Sequence, residues 1–402
     1  MEMASVTAGD GQSTCMQSCY NMIAAFLGVG ILTLPYALSI AGWLGLLLFI
    51  AVAMVCCRTA LLLERCMRGN ESDAQSYGDM GYKAFGRSGR IVASLIGSIE
   101  LYLSSISLLL LVSENLNYLF PHTVFYLGHL KLGEKKLFTV CTALVMLPTL
   151  FSTNVTKLSF ISGLGTLGIF VIILAMLWVG GTSGYGFQDR AKVVSWKGIS
   201  ISTSLFLTCF GGHSVLPTLY NSMKNKQQFT KVLLLSFSCN SIVYLIVAVG
   251  GYLIFGGETC PQITLNFPKR ELGSKIALYT SLVIPLSRYP LLISPVADAI
   301  EDGLPKQYKK QLIRIVIRFI LLIITTLIAC FFPYFESLMA IVGSFSVVLT
   351  SLLFPCCCYL KLRGGEKFNV KFIEILGIIV FGIMTGVTGL YFVVFDLVHG
   401  AG

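Results

Sequence analysis

Charge is what this chain has least of. Lys, Arg, Asp and Glu make up 12% of its 402 residues, about half the share usual in a globular domain. Against that, 55% of the residues are hydrophobic. A soluble domain of this size is excluded, because so few charges could not cover its surface. Long polar stretches are lacking too. The longest are 64–90 and 181–198, which leaves no room for a large enzyme domain beside the apolar segments. The first 13 residues have no basic n-region, so no cleavable signal peptide is read there. There is no glycine-rich loop ending in a phosphate-binding lysine, which argues against an ATPase. No H-E-x-x-H and no cluster of His and Cys ligands suggests a metal, and no nucleophile stands beside a base. The chain therefore reads as a non-enzyme without a cofactor or metal.

The net charge is +10, which in a soluble protein would suggest nucleic acid. Here the basic residues sit in short loops between apolar runs, so they read as topology signals and no nucleic-acid partner is expected. The 13 cysteines mostly lie inside or at the ends of apolar runs, as Cys356, Cys357 and Cys358 do. They read as buried inert thiols, with palmitoylation the alternative. Only Cys260 falls in a polar loop on the far side.

A spanning helix needs about 20 mostly apolar residues. Eleven such runs are expected, at 16–38, 42–63, 91–119, 137–152, 158–180, 199–221, 231–255, 272–296, 313–333, 335–360 and 372–396. The fourth is short and carries Pro148. With the N-terminus (1–15) in the cytosol, cytosolic loops hold 17 of the basic residues and opposite loops hold 9. That split places the N-terminus inside and, with an odd span count, the C-terminus in the lumen. Glycosylation-like triplets at Asn70 and Asn154 would then face the cytosol.

An internal repeat carries most of the information. The first span contains Gly30-Ile31-Leu32-Thr33-Leu34-Pro35 and the sixth Gly212-His213-Ser214-Val215-Leu216-Pro217. Both read G-x-x-x-L-P, with Gly28 and Gly211 just upstream. Glycine weakens a helix and proline removes a donor, so each span is expected to break near mid-membrane, where irregular backbone survives only inside protein or beside a wet cavity. Residues 16–180 and 199–360 then form two five-span halves, and an odd number of spans per half makes the second insert inverted. Helix 372–396 is extra. Matching breaks in inverted halves point to the binding site of a secondary transporter.

The run Gly28 to Pro35, followed by Ala41-Gly42-Trp43, resembles the amino acid/auxin permease family. So does the loop from Tyr77-Gly78-Asp79 to Ala84-Phe85-Gly86. Glu100-Leu101-Tyr102, Gly212-His213-Ser214-Val215 and Gln262-Ile263-Thr264-Leu265-Asn266 are most similar to its plant and fungal vacuolar amino-acid transporters, relatives of the vesicular inhibitory-amino-acid transporter. The resemblance implies an all-α integral membrane protein of the leucine-transporter fold, and amino acids moved with protons. Many such relatives carry a long hydrophilic N-terminal extension; here only about 15 residues precede the first span.

An amino acid presents a carboxylate and an ammonium. Half-helix N-termini suit the first and unwound carbonyls the second. Gly28, Val29, Gly30 and Ile31 are therefore expected to hold the main-chain atoms of the substrate. Cys209, Phe210, Gly211 and Gly212 would form the opposite wall, Phe210 limiting side-chain size. Asn21 is a candidate polar contact. Glu100 and Arg288 are charges of opposite sign at similar depth, expected to interact directly or through water. By the resemblance, Ala24 and Arg288 stand where sodium-coupled cousins carry sodium ligands. That points to protons, with Glu100 or His213 as carrier.

Several matches are read as incidental. Gly163-x-Gly165-x-x-Gly168 lies inside an apolar span with no strand before it, so it serves helix packing rather than a dinucleotide. Glu336 reads as a solvated loop charge, with a gate residue as the alternative, and 77–90 as an amphipathic helix on the cytosolic surface. The expected partners are neutral amino acids, protons and the bilayer, with a monomer as the working unit and the vacuolar membrane as its place. The competing reading is an amino-acid sensor that keeps the fold without turnover.

Overall fold

The computed structural model of the chain describes residues 13–68, 74–123, 125–127, 130–150, 155–182, 196–269, 271–305, 311–332, 334–362 and 370–399. The triplets at Asn70 and Asn154 lie outside the described residues, as does most of the 181–198 segment. The described chain is almost entirely helical and forms two compact units.

The first unit comprises Met1–Glu100, Ala191–Ala248 and Met339–Gly402. Helix α1 (Cys15–Phe26) starts at a capping box: the Gln17 N–H reaches the Thr14 hydroxyl at 3.4 Å, and the Thr14 N–H reaches the Gln17 side chain at 2.9 Å. Those bonds satisfy helix-end donors that would otherwise have no partner. A 3₁₀ turn, Val29–Thr33, leads to α2 (Leu34–Ala41), which is bent 49° from α1. Helix α3 (Leu44–Met67) follows. Helix α4 (Tyr77–Leu119) begins with a reversal. Gly86 has φ +69°, a left-handed conformation that favours glycine, and the two arms on either side of it close on each other. A Cβ on Gly81 would strike the Gly89 carbonyl, and Arg90 pairs with Asp79 at 2.6 Å. The helix expected over 77–90 is thus two arms folded at Gly86.

Helix α7 (Trp196–Phe210) is the centre of this unit. It packs against α2, α3, a π-helical segment (Val342–Leu353) and α14 (Val370–His399). Glycines permit the closest approaches: a Cβ on Gly343 would strike the Ser204 carbonyl, and one on Gly389 the Ser204 hydroxyl. Small residues let helices touch where no hydrophobic force separates them from lipid. Arg58 of α3 and Glu374 of α14 form a two-bond pair at 2.5 and 2.9 Å. Helix α8 (Leu216–Ser222), the first part of α9 (Phe229–Phe255) and α13 (Phe354–Leu362) complete the unit.

The second unit comprises Leu101–Arg190 and Val249–Leu338. A two-stranded hairpin, β1 (Phe125–Leu127) against β2 (Leu130–Leu132), precedes α5 (Glu134–Leu150) and α6 (Val155–Thr182). Helix α6 runs along α10 (Leu272–Asp302). Gly165 and Gly168 face that contact: a Cβ on Gly168 would come within 2.8 Å of Ile284. Helix α11 (Gln311–Phe331) lies beside α5 and α10, and its Arg318 donates to the Leu150 carbonyl at the C-terminal end of α5, at 3.2 Å. A guanidinium there satisfies an orphan carbonyl and complements the helix dipole. Helix α12 (Phe335–Ile341) continues into the π segment.

Among the described residues nine helices are long and apolar enough to cross a membrane, or ten when α1 and the bent segment after it count as one. Of the eleven runs expected, the one at 137–152 lies partly outside the described residues, which carry α5 as far as Leu150. All 13 cysteines are free thiols.

Candidate functional site

Helix α1 stops at Phe26. Leu27 has φ −65°, ψ 76° and Gly28 is extended, with φ −93° and ψ 179°. The Gly28 N–H turns to the Phe26 carbonyl at 2.6 Å instead of reaching Ala24. Among the described hydrogen bonds no backbone donor reaches the carbonyls of Ala24 and Ala25, and none uses the N–H groups of Val29 and Gly30. The segment therefore offers bare acceptors at one helix end and bare donors at the next start, 4 to 6 residues apart in sequence. A Cβ on Gly28 would meet only ordinary contacts, the Phe26 carbonyl at 3.8 Å and Gly30 N at 4.0 Å, whereas one on Gly30 would press on Cys209 Sγ at 3.2 Å and Met339 Cε at 3.3 Å. Val29, Gly30 and Ile31 are buried. Pro35 sits in the first turn of α2, where its missing N–H leaves nothing unsatisfied.

The second interruption differs. Helix α7 ends at Phe210. Gly212 has φ +111°, and a 3₁₀ turn (His213–Val215) leads into α8 with Pro217 in its first turn. Only glycine adopts that φ without strain. A Cβ on Gly211 would press on Val347 at 2.9 Å and stand 3.4 Å from Glu100 Oε1. The Glu100 carboxyl, 5% exposed, meets the Gly212 N–H and the hydroxyls of Ser214, 3.4 Å from Oε2, and Thr350. Thr350 in turn donates to the Ser346 carbonyl at 2.9 Å, and Tyr77 donates to the Thr350 carbonyl at 2.5 Å. No cation pairs with Glu100 among the described residues.

His213 is fully buried and tied to α3. Its Nε2 lies 3.0 Å from the Cys56 carbonyl and 3.0 Å from the Thr59 hydroxyl. A carbonyl only accepts, so Nε2 carries the hydrogen and Nδ1, which has no partner, is the bare nitrogen of a neutral ring. Phe210 is buried among Phe49, Phe237 and Tyr244, with ring centroids 5.3 to 6.3 Å apart. Asn21 is buried on α1, and no described hydrogen bond uses it.

Tyr244 on α9 was not legible as a site residue. Its hydroxyl lies 2.6 Å from the Phe26 carbonyl and 3.1 Å from the Cys209 carbonyl. One hydroxyl hydrogen thus serves the last turns of both interrupted helices. The structure therefore gathers Gly28, Val29, Gly30, Ile31, Cys209, Phe210, Gly211, Gly212, His213 and Glu100 within the first unit, together with Tyr244 and Thr350. Arg288 belongs to the second unit, on α10, with its Nε 3.6 Å from the Cβ position of Gly165.

The second unit has its own polar cluster. Glu114, near the end of α4, accepts from the Phe335 N–H at 2.9 Å, from Lys135 at 3.3 Å and from the Gln262 amide. Gln262 also accepts from Asn115 at 2.7 Å, and Asn115 accepts from Thr264 at 3.0 Å. Glu336 is half-buried beside Glu114 and Lys135, so it is not the solvated loop charge expected from the sequence. It lies in the first turn of α12, next to the buried Phe335. In the adjoining loop burial pushes the Cys260 thiol up, which keeps it protonated and inert.

The long apolar helices define a multi-pass membrane protein, and two of its helices are interrupted near glycines. At the level of the whole fold the chain superposes on the crystal structure of MhsT in complex with L-phenylalanine with a TM-score of 0.59, at 13% identity, covering 93% of this chain and 97% of that one. The fold is that of the leucine-transporter class. The family description "Transmembrane amino acid transporter protein" matches residues 11–395, and the chain belongs to that family. It is 39% identical to amino acid transporter AVT1I of Arabidopsis thaliana over 96% of each chain. It is 37% identical to AVT1J of the same plant over 96% of this chain and 92% of the relative. The family is one of transporters, not enzymes.

Proposed function

We propose that the protein is a secondary active transporter that moves neutral amino acids across the vacuolar membrane, driven by the proton gradient. Membership of the amino acid transporter family supports the substrate class, and the names of the plant relatives support the kind of membrane protein. The observation that carries the coupling is Glu100. It is a buried carboxyl beside the second interruption, next to the Ser214 hydroxyl, which donates to it, and to Thr350, whose hydroxyl hydrogen goes to the Ser346 carbonyl; both hydroxyls can accept as well as donate. Such a shell accommodates both the ionised and the protonated carboxyl. His213 is the weaker proton carrier, because a second proton would sit on a buried Nδ1 with no acceptor.

In this reading Val29 and Gly30 N–H groups bind the carboxylate, and the Ala24 and Ala25 carbonyls bind the ammonium. Gly28 and Ile31 shape the first interruption, and Cys209, Phe210, Gly211 and Gly212 the second. Arg288 serves as a fixed charge in place of a coupling sodium. Residues 16–180 and 199–360 act as inverted halves of an alternating-access cycle, with the N-terminus cytosolic and the C-terminus lumenal. The test is uptake by the purified protein in liposomes, offered each of the twenty L-amino acids with and without an imposed pH gradient. Uptake of neutral amino acids that rises with the gradient is expected. Binding without uptake or counterflow would make the protein a sensor and end the transport reading.

A further inference from the structure

Two helix ends meet at one hydroxyl. The Phe26 carbonyl lies in the last turn of α1 and the Cys209 carbonyl in the last turn of α7, so both carry the partial negative charge of a helix C-terminus. Left alone, two such ends repel. The Tyr244 hydroxyl stands between them, 2.6 Å from the first and 3.1 Å from the second, on a side chain that is 1% exposed. Its single hydrogen is shared by the two carbonyls. The register of α9 seats it there. Phe237 lies seven residues earlier on the same face of that helix. Its ring is 4.9 Å from that of Phe26 and 6.3 Å from that of Phe210. One face of α9 therefore touches both interrupted helices at once.

Both ends lead to the same stretch of backbone. The Phe26 carbonyl has a second partner, the Gly28 N–H at 2.6 Å, and that bond turns the chain out of α1. Cys209 meets Gly30, where a Cβ would stand 3.2 Å from its Sγ. The Phe26 ring also covers Gly212, whose Cβ position is 3.2 Å from it. Tyr244 thus reaches Gly28 through Phe26 and Gly30 through Cys209. The N–H groups of Val29 and Gly30, assigned above to the substrate carboxylate, belong to this stretch. An N–H binds an acceptor only as well as it is aimed, and here the aim depends on the spacing of two helix ends.

We propose that Tyr244 is a positioning residue of the substrate site, whose hydroxyl holds the ends of both interrupted helices at the spacing that aims the Val29 and Gly30 N–H groups at the carboxylate of the transported amino acid. The inference rests on the transport reading above and adds to it a residue that acts through Phe26 and Cys209.

The test uses the full chain, purified and reconstituted, with an amino acid that the wild type carries, chosen from the twenty-member panel. Tyr244→Phe keeps the ring beside Phe210 and removes only the hydroxyl. Its KM is expected to rise about fivefold, the size of one lost hydrogen bond. With kcat unchanged, such a rise marks lost binding rather than lost turnover. The rise in melting temperature that the amino acid gives should shrink as well. A tie with no positioning role would, when cut, lower the melting temperature and the number of active molecules but leave KM alone. A well-folded Tyr244→Phe with a wild-type KM therefore overturns the proposal, as does one that loses kcat only. Should the phenylalanine protein fail to fold, Tyr244→Met, which fills the space without a hydroxyl, decides the matter: a raised KM supports the proposal and a wild-type KM overturns it. If neither variant folds, the hydroxyl serves folding itself and the proposal falls. Should the wild type bind an amino acid without carrying it, the transport reading falls alone, and the loss of ligand stabilisation in Tyr244→Phe still reads this contact. A wild type that neither carries nor binds any of the twenty overturns both.

Discussion

Helix α4 carries two carboxyls in the apolar part of the protein, Glu100 and Glu114, 14 residues apart. They are treated in opposite ways. Glu114 is held by an ammonium, a backbone N–H and a side-chain amide, all pure donors, supplied by three separate segments of the second unit. Glu100 meets one backbone N–H and two hydroxyls, with no cation among the described residues. A shell of fixed donors around Glu114 suits an anion and ties segments together. Hydroxyls around Glu100 can turn to match either protonation state. The same side chain on one helix is thus a clamp at one position and, in the proposed cycle, a switch at the other, and the partners decide which.

The sharpest way to break this contrast is Glu100→Gln. The amide keeps the shape and can accept from Gly212, so the protein should fold with little change in its melting temperature. It cannot gain or lose a proton. One proton per cycle supports about tenfold accumulation per pH unit. In the variant that accumulation should vanish, while counterflow of amino acid at equal pH persists. Uptake that still follows the gradient would move the switch away from Glu100.

Much of this contrast could not be read from the chain. The spans were legible because apolar runs of that length have few other homes. The two interruptions were marked by glycine followed by Leu-Pro, a local pattern, and the helices end at Phe26 and Phe210, just ahead of those glycines. Glu100 and His213 were visible as lone polar residues in apolar surroundings. Glu114 was not, because it sits near the end of its run, where a charge is unremarkable, and its partners are 21, 148 and 221 residues away. Tyr244 was hidden for a related reason. It is one of several polar residues on α9, and only the register of α9 against α1 shows what it faces.

The clamp has its own test. Glu114→Gln removes the charge that faces Lys135, whose side chain is 28% exposed and therefore partly solvated. The loss in stability should be about 1–3 kcal/mol, at the lower end of what breaking a buried pair produces. Lys135→Met should cost a similar amount, and the double variant less than the two together, because each single change leaves the other charge alone. Thermal midpoints in detergent would measure all three. Additive losses would show that Glu114 and Lys135 do not act as a pair. Retained pH-driven uptake in the folded fraction would show that the clamp and the switch are separate.

The smallest effect belongs to the outer members of the clamp. The Thr264 hydroxyl donates to Asn115 Oδ1 at 3.0 Å, and both residues are fully buried. Thr264→Val keeps the shape and removes the donor. Asn115 retains its own two donated bonds, to the Leu111 carbonyl at 2.8 Å and to Gln262 at 2.7 Å, so only one acceptor is left bare. The expected loss is about 1 kcal/mol, with transport unchanged. Thr264→Ser restores the donor and should recover most of that stability, less the packing of one methyl group. If valine proves as stable as threonine, Asn115 is held by its donated bonds alone, and the loop from Gln262 to Asn266 is anchored through Gln262 rather than through both residues.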